Sequence, residues 1–96
     1  MELDKLREEI DIVDNQICKL FEERMNIVNR IGEYKRKKNE PINNAARERQ
    51  VLARISKSLP PHMEDFGRSL YRSIFDISKA YESMYKEKDS PLYKEL

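Results

Sequence analysis

Charged and polar side chains interrupt the apolar faces of this 96-residue chain, and those interruptions define the chemistry open to it. Arg24 falls on a seam that otherwise reads Leu3, Leu6, Ile10, Val13, Ile17, Leu20, Ile27, Ile31 and Tyr34 in three-four alternation. A guanidinium there must meet an anion or be costly. Lys35 follows eleven residues later, so the two cations share one helical face with Cα atoms about 16 Å apart. Val28 and Ile31 lie between them. Two long side chains can converge from that distance on one small dianion bedded on an apolar floor. Arg47 and Glu48, with Ser78 and Glu82 at a spacing of four, can complete the enclosure. Arg7 is near the same face as Arg24 but about 25 Å away along the same rod, so it reaches such a ligand only from a second, antiparallel copy.

Each residue also has an ordinary reading. A lone cation on a helical seam can specify register, and Glu48 can neutralise Arg24 or Arg47 as a structural ion pair. Lys35 belongs to a basic run that water would solvate. Arg7 alone resembles any surface residue, and Ser78 can be a small spacer between helices. Taken together, the geometry favours a ligand.

Composition narrows the alternatives. The 19 basic and 18 acidic residues nearly cancel, so no global field favours nucleic acid or an anionic membrane. Cys18 is the single cysteine, which excludes an internal disulfide and a cysteine-built metal site and suits a reducing, cytoplasmic setting. Beside Ile17, it reads as a packed small hydrophobe. His62, the one histidine, sits beside Pro60 and Pro61 and reads as a solvated turn residue. No Gly-rich phosphate loop, nucleotide fingerprint or metal-ligand spacing appears, so the expectation is no cofactor and no metal. No signal peptide or membrane-length apolar run is present.

The elements that must carry these residues are helices. Glu, Lys, Arg, Leu and Ile dominate, and the only glycines are Gly32 and Gly67. The pattern predicts a first helix over about 3–37, closed by the cations Lys35 to Lys38 and broken at Asn39-Glu40-Pro41. A second helix is capped by Asn43 or Asn44 and reaches about Leu59, before Pro60-Pro61. The third begins after Pro61 and turns Met63, Phe66, Leu70, Ile74, Ile77, Tyr81 and Met84 inward. Residues 1–88 form one domain, and a frayed tail over 89–96 contains Pro91. A 35-residue helix spans roughly 50 Å, whereas a compact monomer of this length measures some 30 to 35 Å across. The overhanging seam predicts an all-α, three-helix subunit in an intertwined, domain-swapped homodimer.

Several segments, in order and spacing, resemble the all-helical chorismate mutases of the AroQ type. They are Leu6-Arg7-Glu8-Glu9-Ile10, Val13-Asp14, Glu23-Arg24, Ile31-Gly32-Glu33-Tyr34-Lys35, Pro41-Ile42 and Arg47-Glu48-Arg49. The likeness covers roughly residues 3–86. It implies a domain-swapped dimer with two equivalent sites that need neither metal nor cofactor, converting chorismate to prephenate on the way to phenylalanine and tyrosine. By resemblance, Arg7 from the partner, Arg24 and Arg47 hold the substrate carboxylates. Lys35 also donates to the ether oxygen, and Glu48 accepts from the ring hydroxyl. Ser78 is a further contact, and Ile31 and Phe75 are wall positions. Asn44 stands where the family usually has aspartate, and Glu82 where many bacterial members have a glutamine that donates to the ether oxygen.

The reaction suits such residues. Chorismate is a dianion, and its pericyclic rearrangement needs neither base nor nucleophile. It needs a compact conformer held in place and stabilisation of the charge growing on the ether oxygen. A carboxylate cannot donate a hydrogen bond, but a carboxylic acid can, so Glu82 is expected to work protonated and activity to fall as it ionises. Two alternatives remain at this stage: an isochorismate-pyruvate lyase on the same fold, and a non-catalytic dimerisation module.

Overall fold

The structure is a computed structural model that describes residues 1–87. The described residues form three α-helices, α1 (Glu2–Lys38), α2 (Ala45–Ser58) and α3 (Glu64–Glu87), with a 3₁₀ turn at Pro61–Met63 and no strand. The expected frayed tail lies outside the described residues.

Helix α1 has no internal proline, Glu2 and Asp4 in its first turn and Lys35 to Lys38 in its last, which complements the helix dipole at both ends. It stops where Asn39 turns left-handed at φ 59°, a conformation asparagine tolerates. There the Glu40 amide donates to Lys35 O over 2.8 Å, and Pro41 prevents continuation. Of the two candidate caps for α2, Asn44 is the one used: its Oδ1 accepts from the Arg47 amide at 3.0 Å. The helix ends at extended Leu59, as a residue preceding proline requires.

Helix α3 packs against both α1 and α2. Gly67 permits the close approach to α2, since a Cβ there would collide with Leu59 Cδ1 and lie 3.3 Å from Ile55 Cγ2. Arg68 reinforces the junction, donating to Ser56 Oγ over 2.6 Å while pairing with Asp65 on its own helix. The small core consists of Met25 and Val28 from α1, Val51 from α2 and Phe75 from α3, with Tyr71 edge-on to Phe75 at 6.1 Å.

The chain measures 55 × 34 × 15 Å with a radius of gyration of 17.2 Å, well above the roughly 13 Å of a compact domain this size. Its thinnest dimension is little more than one helix, so the three helices form a single layer. Consequently the N-terminal seam is uncovered: Ile10 and Leu20 are each 61% exposed. The inward stripe expected of α3 needs the same correction within one chain, because Met63, Phe66, Leu70, Ile77 and Met84 are exposed. The face that α3 turns to its neighbours carries Tyr71, Phe75, Ser78 and Glu82 instead. Cys18 is likewise exposed rather than packed.

Candidate active site

A cavity of about 390 Å³ lies among the three helices. From α1 it receives Arg24, Val28, Ile31 and Lys35, which repeat at three and four residues and so share one face. Ile42 enters from the connecting loop, Asn44 from the cap of α2, and Arg47, Glu48, Val51 and Arg54 from along that helix. The third wall is Tyr71, Phe75, Ser78, Lys79 and Glu82 of α3. Cations thus surround an apolar floor of Val28, Ile31, Val51 and Phe75.

Two of the cations are fixed by neutral partners. Arg24 Nη1 donates to Ser78 Oγ over 2.7 Å, and the Ser78 hydroxyl donates to Ile74 O, also over 2.7 Å. Ser78 is buried, and its one hydrogen is committed to Ile74 O. Lys35 Nζ donates to Ile42 O over 2.9 Å, which leaves two of its three hydrogens for a ligand. Because neither partner is charged, both cations keep their attraction for an anion.

Glu82 is the counterpart in this site. Burial pushes the pKa of its carboxyl up, and the charge of Lys35 only partly opposes that shift. Its Oε2 is buried without a hydrogen-bond partner. An ionised oxygen in that position would be costly, whereas a protonated one retains a hydrogen to donate. Gly32 on α1 faces Glu82 with room for a side chain, since a Cβ there would sit 3.6 Å from Glu82 Cγ, an ordinary van der Waals contact.

Nine of the residues singled out from the sequence line this one cavity: Arg24, Ile31, Lys35, Asn44, Arg47, Glu48, Phe75, Ser78 and Glu82. Arg7 does not, lying far up α1 as its spacing from Arg24 requires. Glu48 pairs with neither arginine considered for it, but with Lys79, whose Nζ is 2.8 Å from Oε2. Lys79 and Arg54 were missed by the sequence reading. Helical spacing points to Arg54, seven residues after Arg47, but not to Lys79, whose contact with Glu48 depends on how two helices cross. Among the described residues no group of three His, Cys, Asp or Glu side chains gathers as a metal site would require, and no helix is long and apolar enough to cross a membrane.

Residues 6–83 match the sequence profile of the family described as chorismate mutase type II. A chorismate mutase of Methanocaldococcus jannaschii is 32% identical over 87 residues, covering 88% of each chain. The bifunctional chorismate mutase/prephenate dehydratase of Aquifex aeolicus is 35% identical over 86 residues, which span 90% of this chain but 21% of that longer protein. No solved structure gives a significant match.

Proposed function

The chain belongs to the chorismate mutase type II family, and from that premise we propose that it rearranges chorismate to prephenate in the cavity among its three helices, in the service of phenylalanine and tyrosine synthesis. The observation that carries this reading is the convergence of Arg24, Lys35, Arg47 and Glu82 around one apolar floor. Arg24 and Arg47 hold the two carboxylates and so select the compact conformer in which the bond-forming ends meet. Lys35, steadied by Ile42 O, and protonated Glu82 donate to the ether oxygen as negative charge develops on it. Glu48 accepts from the ring hydroxyl, and Asn44, with Oδ1 committed to capping α2, keeps its amide hydrogens for the same end of the ligand. Ser78 fixes Arg24, and Ile31 and Phe75 form the walls.

The working unit in this proposal is an intertwined two-fold dimer. In support, the chain exposes 8092 Å², against about 5,800 Å² for a compact monomer of its mass. Apolar side chains lie bare along the Leu6 to Leu20 seam of α1 and at Phe66 and Leu70 of α3. An antiparallel second copy laid on that seam would bring its Arg7 to this cavity. The single unpaired cysteine suits a cytosolic enzyme.

Incubating the purified protein with chorismate tests the reading. The ultraviolet band of chorismate's conjugated cyclohexadiene should disappear while prephenate accumulates. Release of pyruvate from isochorismate, with chorismate untouched, would overturn the assignment in favour of a lyase.

A further inference from the structure

Glu48 has a choice of cations. Arg24, Lys35, Arg47, Arg54 and Lys79 line the same cavity, and Coulomb attraction would draw a carboxylate to any of them within reach. Lys79 holds it, reaching from α3 to α2 with Nζ 2.8 Å from Oε2. The hydrogen bond to Glu48 raises the affinity of Lys79 for its own proton, so the lysine is charged at neutral pH. Neither Arg47 nor Arg54 is drawn into an ion pair among the described residues.

The pair contributes little to stability, because its side chains remain 36% and 28% exposed and solvent screens them. Its consequence is geometric. A carboxylate has two accepting oxygens, and with Oε2 engaged by Lys79 the other is left to accept from a ligand. An arginine captured by Glu48 would have its charge offset and its paired N–H fork, which a substrate carboxylate needs, occupied. A third cation that occupies Glu48 keeps the arginines available.

We propose that Lys79 is a positioning residue for the rearrangement: by holding Glu48 Oε2 it keeps this carboxylate off the arginines and presents Oε1 to the ring hydroxyl of chorismate. This rests on the reading above, in which Glu48 accepts from that hydroxyl. The test is a double-mutant cycle in kcat and KM for chorismate, with Lys79→Met, Lys79→Arg, Glu48→Gln and the Lys79→Met/Glu48→Gln double variant, each checked by thermal melting. Lys79→Met should lower kcat/KM about tenfold at an unchanged melting temperature, and Lys79→Arg should restore most of it. The double variant should be no slower than Glu48→Gln alone. With a chorismate analogue lacking the ring hydroxyl, wild type and Lys79→Met should converge on one rate. The proposal is overturned if Lys79→Met stays within twofold of wild type on chorismate, or if it costs as much in the Glu48→Gln background, which would mean that Lys79 touches the substrate directly. A wild-type protein inactive on chorismate would overturn the functional reading itself and this inference with it.

Discussion

Arg24 is tied to Ser78 across the α1–α3 junction by a 2.7 Å hydrogen bond in which the acceptor is a buried, uncharged hydroxyl. The guanidinium is therefore oriented without being neutralised. Arg24→Ala should lower kcat/KM by about 10²–10³, the loss typical of one preorganised electrostatic donor. Ser78→Ala, which leaves the cation but loosens it, should lower kcat/KM about tenfold with the fold intact. Steady-state kinetics beside a thermal melt separate the two effects. Were Arg24→Ala to retain wild-type kcat/KM, the guanidinium could have no part in holding the substrate.

Glu82 predicts a pH dependence whose sign is fixed by its environment. Burial raises its pKa above 4.5, so the folded protein binds this proton more tightly than the unfolded chain. Its stabilising effect is complete below the unfolded pKa and is lost as pH rises through the folded one. If Glu82 serves the ether oxygen as proposed, activity should fall over the same alkaline limb, because only the acid can donate a hydrogen bond. In Glu82→Gln that limb should vanish from the profile of kcat/KM, since an amide donates at any pH. Identical profile shapes for the two proteins would exclude a working proton on Glu82.

The two glycines should respond in opposite ways to alanine. At Gly32 the added methyl meets only Glu82 Cγ at 3.6 Å, so Gly32→Ala should stabilise by roughly 0.5–1 kcal/mol through helix propensity. At Gly67 it runs into Leu59 and Ile55, and Gly67→Ala should destabilise by about 1–3 kcal/mol as Leu59 is forced aside. Chemical denaturation of the two variants measures both signs.

Much of this arrangement is legible in the sequence, and the rest is hidden for physical reasons. Arg24 announces itself by breaking a seam, and Asn44 by preceding a helix that Pro60 and Pro61 close. Lys79 does not, because a lysine on a charged helix looks like ordinary solvation until the crossing of α2 and α3 brings Glu48 to it. Helix α3 is harder still, since it has two faces worth burying. The three-four spacing picks out Phe66, Leu70 and Ile77, yet within one chain α3 turns Phe75 and Ser78 inward instead. Periodicity finds an apolar stripe but does not say whether the same chain or another will cover it.

The central claim is that chorismate is clasped by cations from two copies of this chain, and mixing two disabled variants tests it most directly. Arg7→Ala and Arg24→Ala should each be nearly inactive alone. If Arg7 serves the partner's cavity, subunit exchange creates heterodimers with one doubly impaired and one intact site. An equimolar mixture, unfolded and refolded together, should then recover about a quarter of wild-type activity. A mixture no more active than its separate components would contradict the shared site.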